Sequence, residues 1–325
     1  MKRQSLLQQY AAIAIFAVAF LAVGFAVRNS YYQLMMTLVL IWATMGLGWN
    51  MLSGYSGLIS FGHAAFFGIG AYTLGLMSPK YEAANFWVTL PAAMLFAALA
   101  AFAVGIFVVR VKGIYFIMVT LAFAQMFYFV FHDTKIGGGS DGRYVNVKPD
   151  ASIAGFTPFD LDKPVHVFYV VLVVLVLVFV FLQLLLRSPF GRALQGIRAN
   201  EQRMRALGFP VNRYKLAAFT IAGALAGLAG YLLAAQTGFV NPELVSWHQS
   251  GDVLLMVILG GAGTPYGPIV GAFALTLLHE LFSTLTTHWQ LWLGIAIVLI
   301  VLYMPGGLAH VVRRVRRGLF GGGDG

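Results

Sequence analysis

Two glycine-rich segments hold the polar residues best suited to chemistry in an otherwise apolar chain. The first spans 53–63 and contains Ser60 and His63, and the second spans 259–268 and contains Thr264. Helix ends beside such breaks leave backbone N–H groups without intrahelical partners, and those groups can meet an anionic group. The hydroxyl and imidazole groups would add hydrogen bonds. These residues are therefore suited to hydrogen bonding with an anionic group.

Groups that could support catalysis or proton transport are scarce. The chain has no cysteine, which excludes disulfides, thiolate metal sites and a cysteine nucleophile. The pair His279 and Glu280 lacks a second histidine four residues on, so the zinc protease pattern is absent and no metal site is predicted. Asp252 and Glu280 fall near the ends of predicted segments, where a central proton carrier is not expected. The sequence argues against an enzyme, and an ion-coupled secondary transporter stays as an alternative class.

Composition places these residues in a membrane protein. Hydrophobic residues make up 60% of the 325 residues and charged residues only 10%, against about 25% charged in an ordinary soluble domain. The net charge of +10 could suggest nucleic acid. The lysines and arginines lie in short clusters between apolar runs, however, which is typical of membrane topology signals. We expect an all-α integral membrane protein that contacts lipid and no nucleic acid.

Ten apolar segments are predicted to cross the membrane. About 20 apolar residues span the bilayer core as a helix. Nine runs approach that length: Tyr10–Val27, Tyr31–Leu52, Phe61–Met77, Phe86–Arg110, Gly113–Phe131, His166–Leu186, Leu216–Gln236, Gly267–Leu285 and Trp289–Met304. A tenth, Val253–Leu259, is too short and is interpreted as part of a broken helix. The first run resembles a signal peptide but is longer than a usual one, so we interpret it as retained.

The distribution of basic residues predicts the orientation. Fifteen lysines and arginines fall on one side of the predicted membrane and six on the other. The positive-inside rule places the richer side, with both chain ends, in the cytoplasm. Residues 1–317 then form a single transmembrane domain with an external loop at 132–165 and a cytoplasmic loop at 188–214. Residues 318–325 form a glycine-rich tail that is predicted to be flexible.

The two glycine breaks predict a translocation path. Irregular backbone at membrane depth is tolerated where protein or a watery cavity surrounds it, and paired breaks point to a transport pathway. The candidate path residues are Gly57, Ser60, Gly62, His63, Gly260, Gly261, Gly263 and Thr264. The alternative is that glycines let helices pack closely, which is the favoured interpretation for Gly223, Gly227 and Gly230. For His63, a path-lining role and a simple hydrogen bond to a carbonyl both stay open.

The long cytoplasmic loop predicts one short amphipathic helix. Ser188 and Pro189 form a good helix start, and Gly208 a good stop. Glu201 and Arg205 can pair at a spacing of four. One stripe of the helix carries Ala193, Ile197, Asn200, Met204 and Leu207. Such a helix either rests on anionic lipid or docks into a groove of a soluble partner, and the sequence does not separate these two.

Several motifs together resemble one known family. They are Gly57–Tyr72 (GLISFGHAAFFGIGAY), Gly191–Glu201 (GRALQGIRANE), Ala206–Gly208 (ALG), Asn212–Phe219 (NRYKLAAF) and Gly260–Pro268 (GGAGTPYGP). In this order they resemble the branched-chain amino-acid ABC transporter permeases of the LivM type, from about residue 45 to residue 305. The resemblance implies the ABC importer permease fold, in the inner membrane of a bacterium.

The resemblance also implies partners and a substrate class. A second permease subunit would complete the path, two cytoplasmic ATP-binding subunits would drive it, and an external binding protein would deliver the substrate. The substrates would be branched-chain amino acids, with urea, short amides or other small organic acids as the alternative. The chain has no Walker motif, so no cofactor is expected on it and partner chains would hydrolyse ATP.

The loop at 188–214 matches the family's ATPase-coupling loop. The coupling residues implied by the match are Arg192, Arg198, Glu201, Met204, Leu207 and Gly208. The family loop commonly shows a Glu-Ala-Ala pattern followed by glycine. Here Glu201 and Gly208 fit, but Gln202 and Arg203 replace the two alanines. The docking role therefore carries over, and individual contacts do not.

Overall fold

Helices dominate the part of the chain that the computed structural model describes, which is residues 29–79, 81–152, 157–304 and 306–308. The helices are α1 (Ser30–Asn50), α2 (His63–Met77), α3 (Phe86–Val108), α4 (Ile114–Asp133), α5 (Pro164–Arg187), α6 (Pro189–Ala199), α7 (Glu201–Ala206), α8 (Val211–Thr237), α9 (Trp247–Gly260), α10 (Gly267–Leu285) and α11 (Trp289–Tyr303). Two short strands, β1 (Arg143–Tyr144) and β2 (Phe239–Val240), pair in antiparallel fashion.

Six of these helices are long and apolar enough to cross a membrane. They are α1 with its extension to Tyr55, α3, α4, α5, α8 and α10, while α2 and α11 are shorter apolar helices. The predicted count of ten is not confirmed. The run Tyr10–Val27 and the tail 318–325 lie outside the described residues. Val253–Leu259 lies inside one continuous helix, α9, which begins six residues earlier at Trp247.

Side-chain contacts show which helix ends lie together. Tyr31, at the start of α1, donates a hydrogen bond to Glu280 near the end of α10, over 2.6 Å. At the other end of the bundle, Lys112 and Lys215 both pair with Glu201 on α7. We call this second end the basic end and the first the opposite end. That the basic end faces the cytoplasm stays a prediction.

Glycines on α8 allow close packing against α2 and α3. A Cβ atom would overlap a neighbouring atom at three positions: Gly223, Gly227 and Gly230. At Gly230 that neighbour is the backbone oxygen of Phe67 on α2, and at the other two it is the Cβ of an alanine on α3. Small residues give membrane helices such close approach. The packing interpretation of these glycines is therefore confirmed.

We expect Gly230→Ala to destabilise this three-helix contact. The added methyl group would meet the backbone of Phe67, which cannot rotate away as a side chain can. Overpacking of this kind costs about 1–3 kcal/mol. Thermal melting of the purified protein in detergent measures the effect, with Gly294→Ala on α11, where a Cβ meets open space, as the control. Equal melting of both variants would contradict the packing argument.

The predicted external loop is shorter than 132–165 and is tied to the end of α8. Helix α4 continues through Asp133, and α5 begins at Pro164. Between them lie two 3₁₀ turns and β1, which pairs with β2 just after α8. The amide of Val145 donates to the carbonyl of Gly238 over 2.8 Å. The described part of the loop therefore packs over the opposite end of the bundle.

The predicted single helix from Ser188 to Gly208 is wrong, because the loop forms two helices. Asn200 is extended, with φ of −158°, and separates α6 from α7. Its side chain accepts a hydrogen bond from the amide of Arg203 over 2.9 Å, so it caps α7. Asparagine competes with the helix in this way and is a preferred cap. The predicted start and stop are confirmed, since Ser188 caps α6 and Gly208 has φ of +83°.

Candidate functional site

The first glycine segment begins with a distortion of α1 itself. The helix changes to a π-helix over Met51–Tyr55, and residues 57–62 are not helical. Gly57 has φ of +76°, a conformation that glycine adopts without steric cost. The indole N–H of Trp49 donates to the carbonyl of Ser60 over 2.9 Å. The segment therefore folds back along the last turn of α1. Short π-helices of this kind are frequent at functional sites.

The second glycine segment separates α9 from α10. Residues 261–266 lie between the two helices, and Gly261 and Gly263 have φ of +108° and +77°. The hydroxyl of Thr264 donates to the carbonyl of Gly261 over 2.7 Å, which closes the turn. Pro268 stands in the first turn of α10, where its missing N–H is not needed. Backbone conformation explains why this turn needs two glycines.

Asn50 joins the two segments through its side-chain amide. The oxygen accepts from the amide of Gly263 over 2.8 Å, and the nitrogen donates to the carbonyl of Thr264 over 3.0 Å. The side chain is 2% exposed, so both of these bonds are needed to satisfy it. Next to it, a Cβ atom on Gly54 would lie only 2.6 Å from the nitrogen of Gly263. The two segments therefore touch directly.

Sequence reasoning missed Asn50, although a signal was present. A polar amide in the last turn of an apolar run is costly in a membrane unless it has a partner. Asn50 stands at such a place, just before the first glycine segment. The sequence around Asn50 does not reveal which group is its partner, because Gly263 lies more than two hundred residues further along the chain.

Arg198 connects this site to the loop at the basic end. Its guanidinium donates from Nη1 to the carbonyl of Gly54. The side chain also passes over Gly57, where a Cβ atom would lie 3.2 Å from Cγ of the arginine. The structure therefore brings together three of the predicted path residues, Gly57, Gly263 and Thr264, with one residue of the predicted coupling loop.

The remaining residues of the first segment are packed inside the chain. The hydroxyl of Ser60 accepts from the amide of Gly62 over 3.1 Å, and both residues are buried. His63 is also fully buried, with the rings of Phe66 and Phe219 edge-on to it at 5.8 and 5.9 Å. Neither ring nitrogen has a hydrogen-bond partner among the described residues. Within the described part of the chain, His63 therefore neither borders open space nor bonds a carbonyl.

Gly260 and Gly261 lie where α9 meets α10. A Cβ atom on Gly260 would overlap the carbonyl oxygen of Gly267 and lie 2.9 Å from the nitrogen of Gly271. The carbonyl of Gly261 accepts the hydroxyl of Thr264. These two glycines therefore allow the helices to approach closely and the turn to close.

The coupling-loop residues divide between an inner and an outer surface. The inner face of α6 is buried through Ala193, Leu194 and Ile197. Met204 is half-buried and packs against α6 at Gly196, where a Cβ would lie 2.9 Å from its sulfur. Four of the predicted coupling residues are exposed instead: Arg192, Arg198, Leu207 and Gly208. The predicted apolar stripe of the loop is therefore interrupted at Asn200. Its last apolar residue, Leu207, is 65% exposed and faces outward.

Glu201 braces the loop against two other parts of the chain. Its carboxylate lies 2.9 Å from Nζ of Lys215 on α8, 2.7 Å from Nη2 of Arg205 and 3.3 Å from Nζ of Lys112 before α4. Burial acts to raise the pKa of the carboxyl, but hydrogen bonds from Lys215 and Arg205 outweigh it and lower the pKa to about 2. Glu201 is therefore ionised at neutral pH. The predicted pairing with Arg205 is confirmed.

Comparison with known proteins identifies relatives over most of the chain. The chain is 36% identical to the high-affinity branched-chain amino acid transport system permease protein LivM of Escherichia coli K12, over 85% of this chain and 69% of that protein. It is equally similar to LivM of Salmonella typhimurium. The autoinducer 2 import system permease protein LsrC of Klebsiella pneumoniae is 35% identical over 42% of each chain.

A family model matches most of the chain. No solved structure matches the chain significantly. Residues 31–304 match the family described as the permease component of branched-chain amino acid transport systems. This range includes both glycine segments and the helices α6 and α7. The chain therefore belongs to the branched-chain amino acid transport permease family and is a LivM homologue.

Proposed function

We propose that this chain is one permease subunit of an ATP-driven importer of branched-chain amino acids in a bacterial inner membrane. A second permease subunit completes the path, and an external binding protein delivers the substrate. Two ATP-binding subunits hydrolyse ATP in the cytoplasm, so this chain binds no cofactor. Both chain ends and the basic end of the bundle face the cytoplasm. Family membership supports the class of transporter.

The observation that carries the proposal is the two-sided surface formed by α6 and α7. The inner face of α6 is buried, while Leu207 and Phe209 are 65% and 39% exposed at the far end. Arg203 and Arg205 flank them and are exposed as well. Apolar anchors beside basic side chains suit a groove with an acidic rim on a soluble partner. This supports docking to a partner chain over simple contact with lipid.

The brace at Glu201 suits this surface for transmitting force. A partner that pushes on α7 would also push on α8 through Lys215 and on the start of α4 through Lys112. Lys215 is only 4% exposed, so its pair with Glu201 is shielded from solvent and salt. Binding and hydrolysis of ATP outside the membrane would thereby move the spans and give alternating access.

The position of Glu280 favours ATP over an ion gradient as the energy source. A secondary transporter needs ionisable groups near the middle of the membrane. Glu280 is bonded to Tyr31 at the opposite end of the bundle, and Asp252 lies in the second turn of α9. Glu280 lies away from the midpoint of α10, whereas Asp252 lies within two residues of the midpoint of α9. If an ion gradient alone drove uptake, without ATP, the proposal would be wrong.

We expect Leu207→Asp to weaken docking of the ATP-binding subunits. A charge placed on an exposed apolar anchor costs about 1–2 kcal/mol of binding free energy, or roughly five- to thirtyfold in affinity. The measurements are co-purification of the subunits and ATP-driven leucine uptake by the complete complex in proteoliposomes. Urea, short amides and small organic acids are tested in parallel as competing substrates.

A matched variant separates docking from a general defect. Tyr81, between α2 and α3 on the predicted external side, is 91% exposed, and Tyr81→Asp should leave subunit association unchanged. Melting of both variants should match that of the unmodified chain, because neither side chain is buried. Full subunit association in Leu207→Asp would show that this surface does not dock the partner.

A further inference from the structure

Asn50 and Arg198 form a connected set of hydrogen bonds between the loop and both glycine segments. Arg198 on α6 holds the carbonyl of Gly54, and Gly54 contacts Gly263 without space for a side chain. Asn50 holds Gly263 and Thr264 from the other side. One side chain of the loop therefore reaches the point where the two segments meet.

We propose that Asn50 and Arg198 are positioning residues that convey movement of the loop to the two glycine segments. The proposal rests on the proposed function, because the movement originates in ATP binding by partner chains. Neither residue needs to touch the substrate. Together they set whether the ends of α1 and α9 stay joined or separate during the transport cycle.

The chemistry of the Arg198 contact suits a joint that must open and close. Its bond is to a neutral carbonyl, and no carboxylate pairs with Arg198 in the part of the chain that the structure describes. Arg198 is itself exposed, so water can replace the carbonyl when α6 moves. The contacts of Glu201 are harder to replace, because its partly buried carboxylate pairs with three cationic side chains. A firm brace beside a replaceable contact allows α6 to move against α1.

The chemistry of Asn50 suits the other side of the same joint. Its amide presents one acceptor and one donor in a fixed plane, and it uses them on an N–H and a C=O of adjacent residues. The π-helix that starts at Met51 directly follows it, so the end of α1 is already displaced from regular helix geometry. A displacement of Gly54 therefore acts both on its contact with Gly263 and on the end of α1 that carries Asn50.

The test compares substrate imported per ATP hydrolysed in the complete complex in proteoliposomes. We expect Arg198→Met and Asn50→Ser each to lower this ratio about fivefold while ATP hydrolysis and subunit assembly stay near normal. Because both residues act on one contact, the double variant should be no worse than the more severe single variant. Arg198→Lys, which keeps a donor, should recover part of the loss.

Two control variants distinguish a positioning role of Asn50 and Arg198 from a merely structural one. Thr44→Val changes another buried polar residue of α1, which bonds only within its own helix, to Leu40. Arg187→Met removes a charge from the exposed end of α5, next to α6. Both controls should keep the normal ratio.

Three results would overturn the inference while leaving the proposed function intact. One is a normal ratio in both single variants, and a second is a double variant whose loss is the product of the two single losses. A fall in assembly and hydrolysis that parallels the fall in uptake would also contradict it, since that is the behaviour of a structural defect. An unmodified complex without ATP-driven uptake would contradict the proposed function and this inference with it.

Discussion

Replacing Glu201 with glutamine should destabilise the protein by about 2–3 kcal/mol at neutral pH. The substitution leaves Lys215, which is 4% exposed, without its counter-charge. Removing one partner of a buried ion pair commonly costs 3–5 kcal/mol, and we place the loss lower because the carboxylate is 17% exposed. Melting of the purified protein in detergent measures the loss, with Glu243→Gln at an exposed position as the control.

The double variant Glu201→Met and Lys215→Met provides a sharper test of the same argument. Replacing both members of a buried pair with apolar side chains is often close to neutral. We therefore expect the double variant to melt well above Glu201→Gln alone. If the double variant were the less stable of the two, an unpaired charge would not be the cause of the loss.

Acid should abolish the advantage that the unmodified chain has over Glu201→Gln. The pKa of Glu201 is lowered from 4.5 to about 2 in the folded chain. A lowered pKa gives stability that is complete above the unfolded value, here 4.5, and is lost as pH falls toward the folded value. The difference in melting should therefore be constant from pH 5 to neutral and shrink between about pH 4.5 and pH 2.

Gly54→Ala should reduce ATP-driven uptake by more than about tenfold. The new Cβ atom would overlap Oδ1 of Asn50 and lie 2.8 Å from the Cα of Gly263, so the two glycine segments must move apart. Most of that obstacle is backbone, which cannot give way by changing a rotamer. A cost of about 1.4 kcal/mol suffices for a tenfold effect, and overpacking costs about 1–3 kcal/mol.

Uptake and melting must be measured together on this variant. Gly251→Ala on α9 is the control, because a Cβ there meets nothing within 4 Å. We expect normal uptake and normal melting from the control, whereas Gly54→Ala should also lower the stability of the protein, by no more than the ~1–3 kcal/mol that overpacking costs. Full uptake by Gly54→Ala would mean that transport does not depend on close contact between Gly54 and Gly263.

The sequence by itself determined the class of the protein and located its two glycine-rich segments. Sixty per cent hydrophobic residues with ten per cent charged can only be accommodated where lipid replaces water around the helices. Local chemistry also determined the start of α6 at Ser188 and the stop at Gly208, because capping and left-handed backbone depend on neighbouring residues alone.

Sequence reasoning was weaker where a local preference competed with a periodic pattern. The stripe through Asn200 predicted one helix, yet the same asparagine ends α6 and caps α7 with its side chain. Hydrophobic periodicity does not record that competition. The apolar run Val253–Leu259 likewise underestimated the length of α9. The first two turns of this helix contain polar residues such as His248 and Asp252, which the search for apolar runs excluded.

Only the tertiary structure decided what the breaks contact. Asn50 and Gly263 are more than two hundred residues apart, and nothing in the sequence around either residue specifies the other. The same holds for Arg198 and Gly54, and for Glu201 and Lys112. Composition and capping act within a few residues, whereas a buried polar group takes whichever partner the packed helices bring to it. The sequence thus marked the glycine segments, and the packing of α1, α6 and α9 made them one site.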